Sequence, residues 1–514
     1  MSETTADIPV DKPQDAFRTV LVLALGLTLA RIAVLFATPL ELYPDEAQYW
    51  LWSRDLAFGY YSKPPMLAWL IALTTGIGGD GEAWVRLSSP ILHLGTTLVL
   101  FEVGRRLYDA RTGLWTGVLY ALMPGVQLSA GIASTDAPLL FFTSLALLAY
   151  VRFQATPSLK WALAAGLALG AAFLSKYAAL YVLLGLALHL VWSARARQAW
   201  RPVTILAAVA GFALVAAPNL IWNALNDFST VAHTADNANW RWGDLFHPVE
   251  MLEFLASQLM VLGPVPLVVL ILGAVAAARR LRSTPEADRL LLCFAVPPLL
   301  LVTLQALLSR ANANWAGIAY VPAVVLVAAW LLRERRSRVL WGGVAFQAAV
   351  ALMVLVLAAS PPLADRIGLG GSFKRVRGWE TGAHRILDAA ETLGPNTVIA
   401  ADDRFLFNSL AYYGRERLAG PDAPVLRMWV REASANNQAE ATAPLTPGMG
   451  DRVLMASTET RFRHEFVADF GTFSGWRDIS VRLDPTRTRD VAVGVGEAFQ
   501  PRPRDPVTGL PSSP

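Results

Sequence analysis

Charge is what this sequence has least of. Only 16% of its 514 residues are Asp, Glu, Lys or Arg, while 54% are hydrophobic. A soluble chain carries about 25% charged residues. The deficit is concentrated in the first 360 residues, where long apolar runs alternate with short polar ones. Runs of about 18 or more apolar residues are long enough to cross a bilayer as a helix, so the chain reads as a polytopic membrane protein. Cysteine is nearly absent. Cys293 stands alone inside an apolar run, which excludes an intrachain disulfide and leaves the redox compartment unread. The net charge is only +4 and the basic residues sit in loops, which argues against a nucleic-acid surface. Neither a D-x-D metal–nucleotide motif nor a phosphate-cradling G-x-x-x-x-G-K-[ST] loop occurs. A secretory signal needs a basic start and a small-residue cleavage site. "MSETTADIPVDKPQDAFRTV" offers neither, so the first span is expected to be retained. No repeat at a period of 20–50 residues is present.

Eleven spans are expected, at 18–39, 84–104, 113–133, 136–152, 161–175, 177–193, 202–222, 251–278, 289–309, 315–332 and 339–360. The region 65–78 is a candidate for a further short or re-entrant helix, and the total is about 11–13. Lys/Arg bias marks cytoplasmic loops. Alternate loops are basic ("GRRLYDAR", "RFQATPSLK", "SARARQAWR", "ARRLRSTPEADR", "RERRSR") and the intervening ones are not. This bias places the N-terminus inside, the loop after the first span outside, and the tail outside. Residues 1–360 therefore read as the membrane domain, 361–500 as an outer α/β domain and 501–514 as a disordered Pro-rich stub. In the tail, "GWETGAHRILDAAETLG" and "DRFLFNSLAYYG" have helical spacing, the latter ending near Gly414. "NTVIAA", "RVLMAS", "RDISVRL" and "DVAVGV" read as strands.

The most distinctive segment, "LYPDEAQYWLWSRDLAFGYYSKPP", occupies residues 42–65. Pro44 suits the first helical position, and Asp45 and Glu46 then fall in the first turn, favoured by the helix dipole. Tyr49, Trp50 and Trp52 are residue types that settle at a membrane–water boundary, so a short helix is expected along the outer surface. Tyr61 and Lys63 precede Pro64 and Pro65, which impose an extended approach. A lysine there presents a fixed positive charge to a phosphate; otherwise it is an ordinary snorkelling lysine. Asp136 in "STDAPLLFF" and Lys176 in "FLSKYAAL" lie at outer span ends, where ionisable groups are expensive and often functional. Asp136 could instead be ordinary helix-start chemistry. Two polar outer loops, with His233 and Arg241 in one and Arg310 and Asn314 in the other, carry groups suited to sugar hydroxyls or phosphate.

"YPDEAQYW", "YYSKPPMLAWL", "VRLSSP", "STDAPLLFF" and "LSKYAAL", in that order, resemble the bacterial branch of glycosyltransferase family 39. That branch includes the dolichyl-phosphate-mannose–protein mannosyltransferase-like and aminoarabinose-transferase-like enzymes, and the likeness covers roughly the first 330 residues. The resemblance implies a C-type glycosyltransferase fold, an active site on the outer face of the bacterial inner membrane, and a polyprenyl-phosphate sugar donor used with inversion. It implies that Asp45, with Glu46 beside it, activates the acceptor, that Lys63 lies near the donor phosphate, and that Asp136 is a second acid, with Lys176 near the end of a span. Tyr61, His233, Arg241, Arg310 and Asn314 are further candidates for binding substrate. In the aminoarabinose transferases a glutamate that helps hold a metal precedes the lysine; here the position is Ser62. A divalent metal therefore stays possible but is not supported by the sequence, and no other cofactor is called for.

The chemistry also stands without the resemblance. A lipid phosphate is already a leaving group, so what remains is a placed carboxylate to deprotonate the acceptor and fixed cations to neutralise the departing phosphate. The acceptor is open among lipid A, another glycolipid, a polysaccharide and a protein. The competing reading is a transporter or flippase of a lipid-linked saccharide. Transporters usually show internal repeats and mid-membrane charges, whereas these charges gather at one face. "AADDRF", at Asp402 and Asp403, reads as a helix cap rather than a metal site.

Overall fold

The computed structural model describes residues 13–240, 243–505 and 508–511. Among these, seven helices are long and apolar enough to cross a membrane: Pro13–Ala37, Glu82–Leu107, Asp136–Ala155, Pro202–Leu225, Glu286–Leu308, Ala313–Arg333 and Ser337–Ala359. Two more expected spans, 161–175 and 177–193, are shorter apolar helices, Leu159–Ser175 and Tyr177–Trp192. The region 65–78 forms the helix Met66–Gly78. Two expected spans are interrupted. The run 113–133 stops at Leu122 and restarts at Pro124, because proline cannot donate the hydrogen bond that would continue the helix. The run 251–278 becomes Pro248–Val261 and Pro264–Ala278, bent by 115°. Gly263 at the bend has φ +99°, a conformation glycine adopts readily, and Pro264 opens the next helix.

The chain divides into two compact units. One contains residues up to Ala37, Lys63–Leu70 and Arg86–Val356; the other contains Thr38–Ser62, Ile71–Val85 and the chain from Leu357. The loop after the first helix thus packs with the C-terminal residues.

The helix Ala313–Arg333 is the central post of the first unit, with 83% of its apolar window buried, whereas Pro202–Leu225 has only 22% buried and turns the rest outward. Helices Leu159–Ser175 and Pro202–Leu225 meet backbone to backbone. A Cβ on Gly166 would lie 2.0 Å from the Ala208 carbonyl oxygen, and one on Gly211 2.7 Å from that of Leu163. Small residues allow this approach where no hydrophobic force drives apolar helices together.

The second unit is built on a six-stranded sheet ordered β2-β1-β3-β6-β4, with β5 also paired to β6. The strands are β1 Val398–Ala401, β2 Val425–Met428, β3 Arg452–Ser457, β4 Phe470–Phe473, β5 Arg477–Arg482 and β6 Thr488–Phe499. β1 runs parallel to β2 and β3, while β6 is antiparallel to β3. Val398, Met455, Trp429 and Phe466 lie in its core.

Part of the expected disordered stub contacts the sheet domain. Arg502 and Arg504 reach the fully buried Asp469 at 3.1 and 3.0 Å, and the Ala433 N–H donates to the Gly509 carbonyl. A buried carboxylate needs such partners, and these two arginines supply them. Residues 506–507 and 512–514 of that stretch lie outside the described residues.

Candidate active site

In the first unit the structure joins three residues that the sequence offers separately. Asp136 opens the helix Asp136–Ala155, and Thr135 before it makes no capping bond through its side chain. The Asp136 carboxylate turns instead to Lys176 Nζ, 2.8 Å from Oδ1, and accepts a hydrogen bond from Asn314 Nδ2 on Oδ2 at 2.5 Å. Lys176 stands at the extended break between the helix Leu159–Ser175 and the 3₁₀ turn Tyr177–Leu180. The Lys176 and Asp136 side chains are only 19% and 16% exposed. This contact sets the end of one helix beside the start of the other, leaving the Arg152–Lys160 turn at the far end. There Arg105, Arg106 and Arg152 gather on Glu102. The site candidates and the arginine cluster thus occupy opposite ends of the bundle.

An apolar cavity of about 590 Å³ lies among these helices, running from Tyr181 and Ile318 past Thr143 and Phe212 to Tyr150, Arg197 and Trp200 near the far end. Tyr181 and Ile318 follow Lys176 and Asn314 by about one turn of chain. Lys63 is half-buried before the buried Pro64 and Pro65.

The two polar loops are tied to each other. Trp240 Nε1 donates to Gln305 Oε1 at 2.8 Å, Gln305 Nε2 donates to the Ala238 carbonyl, and the Ser309 hydroxyl donates to that of Asn239. His233 is half-buried in the last turn of the helix Ser229–Asp236 and Arg310 is exposed. Among the described residues of these loops, Asn314 reaches Asp136. Arg241 lies outside the described residues.

The second unit holds Asp45. The expected loop helix forms, Pro44–Trp52, but two of its aromatics, Trp50 and Trp52, are buried against protein. Trp50 and Trp52 are 5% and 4% exposed; Trp50 packs edge-on against Tyr412, and Trp52 stacks on Tyr60. Trp50 Nε1 donates to Asp80 Oδ1 at 2.8 Å, satisfying the indole where it is buried.

Glu46 is also drawn inward. It is 1% exposed, and its Oε2 accepts the Tyr43 N–H at 2.8 Å, closing the helix start. Asp45 is the acid that remains accessible, with a side chain 29% exposed and Oδ1 3.5 Å from Arg404 Nη2. Tyr61 is engaged through its backbone N–H with Gln438 Oε1 and through its hydroxyl with the Ala435 carbonyl.

Asp403 is a helix cap, as its sequence context implies, accepting the Phe405 and Leu406 N–H groups. Asp402 accepts hydrogen bonds from the Ser457 hydroxyl and the N–H groups of Thr458 and Glu459. Burial nonetheless pushes its carboxyl up to about 6. A set of metal donors does not assemble: among the described residues, no three His, Cys, Asp or Glu side chains are placed to hold an ion. Sequence reasoning missed Arg404, Gln48 and Arg375, which gather around Asp45 and Tyr43. No local signal pairs residues so far apart in the chain.

Residues 62–222 match the family described as dolichyl-phosphate-mannose-protein mannosyltransferase. The chain is 44% identical over 317 residues to the lipid A galacturonosyltransferase RgtD of Rhizobium johnstonii, a match covering 61% of this chain and 66% of that protein. It is 29% identical over 173 residues to an undecaprenyl phosphate-alpha-4-amino-4-deoxy-L-arabinose arabinosyl transferase of Pseudomonas aeruginosa. That second match covers 29% of this chain and 31% of the relative. Both relatives are therefore spanned over less than two thirds of their length. The fold is that of ArnT from Cupriavidus metallidurans in its apo state, with a TM-score of 0.64 at 16% identity over 92% of this chain and 97% of that one. The same protein bound to undecaprenyl phosphate gives 0.61 at 17% identity over the same shares. By this sequence match and this shared architecture, the chain is similar over residues 62–222 to the dolichyl-phosphate-mannose-protein mannosyltransferase family and carries a C-type glycosyltransferase fold.

Proposed function

We propose that this protein transfers a sugar from a polyprenyl-phosphate carrier to lipid A or a related envelope glycolipid, at the periplasmic face of the inner membrane. One observation carries the reading. A lysine, a carboxylate and an amide converge at one end of the helices, about one turn of chain from an apolar cavity. A cation fixed near the headgroup layer is suited to a lipid phosphate. An apolar cavity within the range of roughly 300–1,000 Å³ typical of ligand sites is suited to part of the attached chain. The name of the relative with 44% identity supports the acceptor class, and the carrier named in the ArnT complex supports the donor class. The arginine-rich far end of the bundle supports a cytoplasmic assignment for that side, and hence a periplasmic one for Lys176.

Lys63 and Lys176 take the donor phosphate, stabilising the charge that develops as the glycosidic bond breaks. Asp45 removes the acceptor proton. Because positioned general-base catalysis contributes about 10²–10⁴-fold, Asp45→Asn should lower turnover by that factor while the protein stays folded. The assay is release of polyprenyl phosphate from a glycosylated carrier by purified protein in detergent. Normal turnover in the variant refutes the role of Asp45, and a wild-type protein that moves the carrier without cleaving it refutes the enzyme.

A further inference from the structure

The loop helix Pro44–Trp52 lies along the helix Arg404–Tyr413 of the sheet domain. Their contacts include the Trp50–Tyr412 ring pair at 4.9 Å and the Tyr43–Phe405 pair at 6.1 Å. Asp403 accepts the Phe405 and Leu406 N–H groups at 2.9 and 3.1 Å. That cap fixes where the second helix begins and makes Arg404 its first residue.

The Arg404 guanidinium then spans two residues on one face of the loop helix. Its Nη1 donates to Gln48 Oε1 at 3.1 Å, and its Nη2 lies 3.5 Å from Asp45 Oδ1. Residues at i and i+3 on a helix share a face, so one planar guanidinium reaches both. Gln48 is itself buried and accepts a second bond from Asn408 Nδ2, which anchors this arrangement to the sheet domain. Among the described residues, Arg404 is the cation that forms an ion pair with Asp45.

We propose that Arg404 is a positioning residue for Asp45. On this inference, which rests on the functional reading above, the C-terminal domain contributes directly to catalysis by setting the direction of the acceptor's base. The separation suits that task, because at 3.5 Å the guanidinium orients the carboxylate without forming the short bidentate pair that would occupy both its oxygens. Stability does not explain the pair. Its side chains are 34% and 29% exposed, and pairs so open to water add little to stability.

The test compares Arg404→Met, Arg404→Lys and Asp45→Asn in the full-length protein, measuring kcat, donor KM and the unfolding midpoint. Arg404→Met should lower kcat about 10–100-fold, the scale of a misplaced catalytic group. Donor KM should stay within about twofold, since no donor contact is lost, and any fall in the midpoint should stay within what losing the one bond to buried Gln48 explains. Arg404→Lys should recover most of kcat. The proposal is overturned if Arg404→Met keeps its kcat, if the lysine variant is as impaired as the methionine variant, or if the loss of kcat vanishes at temperatures where the variant is fully folded. An inactive Asp45→Asn beside an active Arg404→Met overturns this inference alone. An active Asp45→Asn overturns the functional reading beneath it.

Discussion

Replacing Lys176 by methionine tests whether the Asp136 contact is an interaction or a coincidence of placement. At 2.8 Å and an effective dielectric near 20, the Coulomb attraction is about 6 kcal/mol, most of which offsets the cost of taking both charges out of water. What the variant reads is the remainder together with the penalty of stranding the carboxylate. Breaking a fully buried pair costs about 3–5 kcal/mol. Here 16–19% of each side chain is still exposed and Asn314 still donates to Asp136. The expected loss for Lys176→Met is therefore about 2–3 kcal/mol, below that range. Asp136→Asn should cost less, because Lys176 has a long stem that can carry its ammonium toward water. The double variant should recover about 1–2 kcal/mol relative to the sum of the singles, the signature of residues in contact. Denaturant unfolding of the detergent-solubilised protein supplies all three values. Strict additivity, with a coupling smaller than about 0.5 kcal/mol, would remove the pair from the account of this site.

The membrane spans were legible because hydrophobic length is a property of consecutive residues. The places where the structure departs from that reading are equally physical. At Pro124 a missing N–H stops a helix inside an apolar run, and at Gly263 a positive φ turns the chain where hydropathy continues. Hydropathy averages over both. In the tail β1, β3, β5 and β6 were readable, but β2 and β4 were not. β1 is as short as either, at four residues, but its Val398–Ala401 run is wholly apolar, whereas Arg427 interrupts β2 and Gly471 interrupts β4.

The site was legible as a set of residues but not as an arrangement. Asp136, Lys176 and Asn314 each stood out as polar groups at apolar span ends, yet their meeting depends on how three segments fold back. The loop helix shows the opposite limit. Tyr49, Trp50 and Trp52 carry the composition of a membrane boundary, but that composition is shared by aromatics that pack on protein. The deciding partners, Tyr412 and Tyr60, lie on other elements. Glu46 and Asp45 are adjacent and chemically alike. The inward bond to the Tyr43 N–H marks the acid that closes the helix from the one that stays open.

Two further consequences concern the framework. Gly166→Leu should severely destabilise the membrane unit, because even its Cβ would sit 2.0 Å from the Ala208 carbonyl oxygen. Overpacking a tight core costs about 1–3 kcal/mol and sometimes more; a variant that purifies in normal yield with an unchanged unfolding midpoint would refute the close helix contact. The sheet domain should lose stability as pH rises. The Asp402 carboxyl sits at about 6 when folded, above its ordinary value near 3.9, so folding favours its protonated form. That contribution is fully present below about pH 4 and disappears as pH passes through about 6, a change of roughly 2–3 kcal/mol. Amide exchange in β1 and β3, corrected for intrinsic rates, should therefore show more protection near pH 5 than near pH 7.5. Asp402→Asn, which carries no titrating proton, should flatten that difference. Equal protection at both pH values in the wild-type protein would mean that the donors from Ser457, Thr458 and Glu459 outweigh burial and that the carboxyl is already charged at pH 5.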